Sequence, residues 1–241
     1  MRDVWAELEG YLRRFRENLD TRPDALVVVS GHWEEDPVAI NAGAAPPLLY
    51  DYGGFPDYTY SLTWPAPGAP AIADLIADLL GKAGIASRQD TRRGWDHGVF
   101  VPLKVMFPDA DIPTVQLSLR TGLDPTDHLA IGRAIAPLRD KNVLILGSCQ
   151  SYHNMRGLMG GPPDPEAEAF DEWLREIMVD PARRDDALRH WDMAAGARIA
   201  QPREDHLIPL MVAAGAATGE RGTIDFHGRA LGKPISGFRF G

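Results

Sequence analysis

Three short strings place a histidine where an apolar run ends or a helix begins: SGHW at 30–33, SYHN at 151–154 and EDHL at 204–207. His32 follows Ala25-Leu26-Val27-Val28-Val29, and His153 follows Val143-Leu144-Ile145-Leu146. In open α/β sheets, ligands bind in the crevice at the carboxyl ends of the strands. Histidines delivered there from distant parts of a chain can hold a metal ion or move protons. Neutral imidazoles suit zinc and iron, and three protein ligands leave positions open for water or substrate. The spacing is no local metal signature, so on the residues alone unrelated loop histidines stand as the alternative.

Four other histidines complete the set. His97 sits in Gly94-Trp95-Asp96-His97-Gly98, where small neighbours allow close approach to a ligand. A hydrogen-bonded loop histidine is the competing reading. His128 and His190 lie among charges in helical patterns and read as solvated surface positions, and His227 reads as structural. Cys149 reads as a small buried residue after a strand, rather than a nucleophile with His153 as its base. Ser148 and Ser151 lack the GxSxG elbow, and no Gly-rich phosphate loop is present.

These residues need a scaffold, and the apolar periodicity supplies one. Residues 3–19 carry Val4, Leu8, Tyr11, Leu12, Phe15 and Leu19 at helical spacing. Residues 25–29 suit a strand buried on both faces. Residues 41–70 read as a long ordered loop rich in Gly, Pro and Tyr, a length that is often functional. A helix follows over 71–80, a strand over 112–119, a helix over 126–138 and a strand over 142–147. Residues 155–165 form a Gly/Pro loop, 166–192 are helical in pattern, and 202–205 open a further helix. Residues 233–240 alternate like an edge strand. Strands alternating with helices predict a single three-layer α/β/α domain with a mostly parallel central sheet and an edge strand at the C-terminus.

Composition narrows the partners. The 241 residues are 44% hydrophobic, enough for one sizeable core, with net charge −9. An acidic chain without a Lys/Arg block is poorly suited to nucleic acid or an anionic membrane. The single cysteine permits no intrachain disulfide, and the charged N-terminus lacks the apolar core of a signal peptide. A cytoplasmic setting is the expectation. Oligomeric state is not legible.

Seven strings then stand in order: VVVSGHW at 27–33, YDYGGFP at 50–56, WPAPGAP at 64–70, WDHG at 95–98, FPDADIPTVQLS at 107–118, SYHN at 151–154 and EDHLIPL at 204–210. Together they resemble the class III extradiol ring-cleavage dioxygenases, in the 4,5-DOPA dioxygenase branch. The resemblance implies an α/β fold with a non-haem metal at the carboxyl end of the sheet. It implies that His32 and His206 are ligands, and that His153 is at the metal as a ligand or as the acid/base residue. His97 would line the substrate pocket as a second catalytic histidine. Tyr52, Phe55 and Trp95 would contact an aromatic diol.

The cofactor implied is Fe(II), with Zn(II) as a substitute, and the co-substrate is O₂. Family members begin with a strand ending in an HGSP-type turn, whose histidine adds a ligand. No such string occurs here, so the expected catalytic domain, 1–241, lacks that strand. Two other classes stay open: a relative that binds catechols without turnover, and a Zn-dependent hydrolase using metal-bound water.

Overall fold

The computed structural model describes residues 4–158 and 164–241. The apolar run that opens β1 (Ala25–Glu35) fixes the architecture. Residues Ala25 to Val29 are at most 3% exposed, so the strand needs neighbours on both edges and a layer on each face. On its edges lie β4 (Thr114–Arg120) and β5 (Val143–Ser148), both parallel to it. The strands β2 (Val38–Asn41) and β3 (Ser87–Asp90) extend the sheet beyond β4, giving the order β3-β2-β4-β1-β5. Within this five-stranded sheet only the β2–β4 pairing is antiparallel.

The helices are α1 (Ala6–Arg14), α2 (Pro70–Lys82), α3 (His97–Met106), α4 (Pro125–Ile135), α5 (Met155–Leu158), α6 (Pro165–Met178), α7 (Arg184–Arg189), α8 (Ala197–Ala200) and α9 (Ile208–Ala216). Side chains alternate across a strand, so β1 feeds two cores. Val27 and Val29 join Ile76 and Leu80 of α2, Ile131 and Ile135 of α4, and Met211 and Val212 of α9. Leu26 and Val28 join Val99, Phe100, Leu103 and Met106 of α3, with Leu12 of α1 packed alongside. This is the expected three-layer arrangement. The C-terminal strand β7 (Lys233–Arg239) pairs with β6 (Thr223–Ala230) in a two-stranded antiparallel sheet. Among the described residues, no helix is long and apolar enough to cross a membrane.

Several boundaries differ from the sequence expectation. The first helix is α-helical only over Ala6–Arg14 and tightens to a 3₁₀ turn over Phe15–Asn18. The helical pattern of 166–192 divides into α6 and α7, because Pro181 disfavours helical backbone at Asp180 before it. The strands β2, β3 and β6 and the helix α3 were not anticipated. The Gly/Pro loop expected at 155–165 instead begins as the short helix α5, and residues 159–163 lie outside the described residues.

His128 is a correction. It is not a solvated surface residue but is fully buried in α4, at 0% exposure. Its Nε2 accepts from the Arg120 backbone N–H at 2.9 Å, and its Nδ1 lies 2.7 Å from the Asp124 carbonyl. Nε2 thus ties α4 to the end of β4, while Nδ1 bonds back to the N-cap of its own helix.

Replacing this residue tests that role. His128→Ala leaves the Arg120 N–H unpaired beside a cavity, at an expected cost of about 2–4 kcal/mol in urea unfolding. Burial holds the His128 pKa below its ordinary value. The unfolded imidazole takes up its proton near ~6.5, before the folded one does, so its stabilising effect is lost as pH falls below that point. Unfolding curves at neutral and mildly acidic pH should therefore show a shallower acid slope for His128→Ala than for the wild type.

Candidate metal centre and active site

His32 owes its direction to an irregularity in β1. The β1–β4 register runs from Val29↔Leu117 to Glu34↔Leu119, so three extra residues of β1 leave the ladder between them. A bulge of this kind bends a strand and re-aims its side chains. The Ser30 hydroxyl accepts from the His32 N–H at 3.1 Å and donates to Asp96 at 2.8 Å. Asp96 is wholly buried and also accepts from Arg93 at 3.3 Å and, more closely, from the Gln116 side-chain amide. A carboxylate out of water requires such donors. Gly98 completes the support, since a Cβ there would sit against the Ser30 hydroxyl and 2.9 Å from His32 Cδ2.

His97 is the first residue of α3, and Asp51 anchors it. The Asp51 Oδ1 accepts from the His97 backbone N–H at 2.9 Å and lies 2.8 Å from its Nδ1. The long loop brings Asp51 there by pairing Leu48 with Trp95 as a short parallel bridge. His153 follows β5, with its backbone N–H donating to the Ala200 carbonyl at 2.9 Å. His206 closes a 3₁₀ turn (Glu204–His206) that leads into α9. Arg203 fixes this turn by bridging Glu34 at 2.7 Å and Asp205 at 2.9 Å.

The four imidazoles converge. Ring centroids are 3.9 Å apart for His32–His97, 4.9 Å for His32–His206 and 3.3 Å for His153–His206. Burial, reinforced by His97 and His206, pushes the His32 pKa down to about 4. Burial and then His206 do the same to His153, also to about 4. Both rings are therefore neutral near pH 7 and carry free lone pairs. Burial works to raise the Asp51 carboxyl, but the two hydrogen bonds from His97 outweigh it and hold the pKa low. Asp205 behaves likewise: His206 and Arg203 overcome its burial and hold it at about 2.

The donor set fits a metal ion. His206 is 9% exposed, and neither ring nitrogen has a hydrogen-bond partner. Asp205 lies 3.1 Å from its Nδ1 but out of hydrogen-bonding alignment. Two unpaired nitrogens in a buried ring are costly unless something else occupies them. Donor atoms of His32, Cys149 and His206 lie within 4.8 Å of one another, and so do those of His32, Asp51 and His97.

His153 relates to His206 differently. Their planes are 5° apart and stacked face to face. An ion bound to an imidazole lies in the ring plane along the lone pair. With the rings nearly parallel and their centroids 3.3 Å apart, the in-plane lone pairs of His153 and His206 do not converge on one point.

The expected substrate contacts are divided. Tyr52 packs edge-on to His97 at 5.5 Å, and Phe55, 58% exposed, packs on Tyr52 at 5.5 Å. Trp95 is a correction: at 0% exposure it belongs to the core beneath α3 and presents no surface to a cleft. Sequence reasoning missed Asp51, Asp96 and Ser30 as supports. Each lies in or beside a string already singled out, but hydrogen bonds across 46 and 66 residues leave no local signal.

Comparison with known proteins gives this arrangement its class. Residues 2–233 match the family described as the catalytic LigB subunit of aromatic ring-opening dioxygenase. The chain belongs to this family, and with it to the class III extradiol ring-cleaving dioxygenases. It is 39% identical over 214 residues to a 4,5-DOPA dioxygenase extradiol of Beta vulgaris, covering 86% of this chain and 78% of that one. It is 37% identical over 236 residues to Dioxygenase tasH of Hapsidospora irregularis, covering 92% and 73%. A crystal structure of an uncharacterized Escherichia coli K12 protein superposes with a TM-score of 0.80 at 30% identity, covering 97% of this chain and 92% of that one.

The buried Asp96 network makes a direct prediction. Asp96→Ala strips the partner from Arg93, Ser30 and Gln116, and should cost about 3–5 kcal/mol in chemical denaturation. Asp51→Asn, on the solvent side of His97, should change stability by less than about 1 kcal/mol. Equal losses in the two variants would show that Asp96 carries no special structural weight.

Proposed function

We propose that the chain is a non-haem metal-dependent dioxygenase that opens a catecholic ring beside its diol with O₂, its 241 residues acting as one catalytic domain. The observation that carries this reading is the meeting of His32, His97, His153 and His206 at the carboxyl end of the sheet, with both nitrogens of buried His206 unpaired. His32 and His206 would hold the ion, which is Fe(II) for ring cleavage, with Zn(II) able to occupy the same nitrogens. His153, named with them from sequence and stacked on His206, would serve as the acid/base residue. The relatives named 4,5-DOPA dioxygenase extradiol support a catechol as the substrate class.

When bound, the metal supplies Lewis acidity that lowers the pKa of a diol hydroxyl and brings diol and O₂ together. The chain's own residues do the rest. His153, neutral because it is buried, can accept a proton from a substrate hydroxyl and return it later. The His97 ring, held through Nδ1 by Asp51, offers its other nitrogen to the substrate. Tyr52 and Phe55 form an aromatic wall on the loop side, and the Tyr52 hydroxyl is already committed to the Thr59 carbonyl at 2.6 Å. An aromatic ring is what such a wall recognises.

Oxygen uptake by Fe(II)-loaded protein with a catechol panel tests the reading, alongside the absorbance of a yellow ring-opened product. The wild type should consume O₂ only when metal and catechol are both present. His153→Ala should lower kcat by about 10²–10⁴ while retaining the metal. A His153→Ala protein that turns over at the wild-type rate would remove that residue from the chemistry.

A further inference from the structure

Cys149 is the first residue beyond β5, and it faces the histidine cluster. Its sulfur lies within 4.8 Å of donor nitrogens on both His32 and His206. It is the only cysteine in the chain, so its position has no disulfide purpose. The β1 bulge is built to come close to it. A Cβ at Gly31 would meet the Cys149 Sγ at 3.1 Å and the Asp205 carbonyl at 2.8 Å. Glycine at that position lets three chain segments pack together: β1, the turn after β5, and the turn before α9.

A buried thiol on its own is an unremarkable small apolar group. Here an independent observation points to a ligand at the same place: the buried His206 ring, with neither nitrogen paired. His32 places a further donor nitrogen within the same 4.8 Å. We propose that Cys149 is a ligand of the metal site, its thiolate joining His32 and His206 around one ion. The inference rests on the metal-site reading above and extends it to a residue that reading does not use.

The chemistry is one of exchange without oxidation. The metal–sulfur bond forms as the S–H bond breaks, and the proton passes to solvent. Two imidazoles and a thiolate form a softer donor set than imidazoles with a carboxylate. The neighbouring His32–Asp51–His97 group shares His32 and is the harder alternative. The inner group should therefore prefer Zn(II) and Co(II), and an ion bound there is held partly by sulfur.

Cobalt reports this directly. The 241-residue protein, titrated with Co(II) under anaerobic conditions, should show visible d–d bands together with a near-ultraviolet sulfur-to-cobalt charge-transfer band. Cys149→Ser and Cys149→Ala should lose the charge-transfer band, keep circular dichroism spectra like the wild type, and bind Co(II) at least about tenfold more weakly, since even outer-shell changes cost that much. Wild-type d–d bands without a charge-transfer band would overturn the proposal and leave the histidine site standing. No cobalt spectrum at all would overturn both. Should neither variant fold, the wild-type spectrum decides alone, because no other thiol exists in the chain.

Discussion

Imidazole rings packed against one another repel as soon as they are protonated, and the site depends on keeping them neutral. Burial achieves this for His32 and His153, both held to about 4. Both rings remain partly open to the cleft, so their lone pairs can meet a cation or a substrate proton. A site of this kind cannot form on a mobile loop, because a low dielectric environment needs close packing on every side. The fully buried β1 and the helices covering its two faces provide that packing.

Carboxylates then decide which way the rings point. Asp96 reaches His32 through the Ser30 hydroxyl, Asp51 holds His97 directly, and Asp205 stands beside His206. Outer partners of this type fix the ring orientation and tautomer of a metal-binding histidine. Each carboxylate is itself supported, Asp96 by Arg93 and Gln116 and Asp205 by Arg203. The network is therefore structural as much as chemical. It freezes a geometry that four separate segments would not adopt unaided.

The family relationship and the packing are consistent with one another. The LigB match spans residues 2–233, and the site draws on β1, the long loop, α3, the turn after β5 and the turn before α9. The C-terminal hairpin of β6 and β7 lies outside the main sheet and packs against α1 and α6, with Phe226 and Phe238 bordering the larger core. The rings of His153 and His206 stack nearly parallel, with centroids 3.3 Å apart.

By itself the sequence determined the strands that carry the site, because uninterrupted apolar runs such as 25–29 have one economical fate in a protein this size: a buried parallel strand. It also singled out His32, His97, His153 and His206, each in a distinctive string, and the fold brings their rings together. Short or partly exposed elements were not legible. The strands β2 and β3 have four residues each, and the apolar α3 contains Pro102 in its interior, so neither shows a clean period. Trp95 and His128 were misplaced because burial depends on what covers a residue, and the covering segments lie far away in sequence. Only the tertiary structure could decide the stacking of His153 on His206, the approach of Cys149 through the gap at Gly31, and the anchoring of His97 by Asp51. Those contacts join residues separated by tens to more than a hundred positions, and packing, not local preference, sets them.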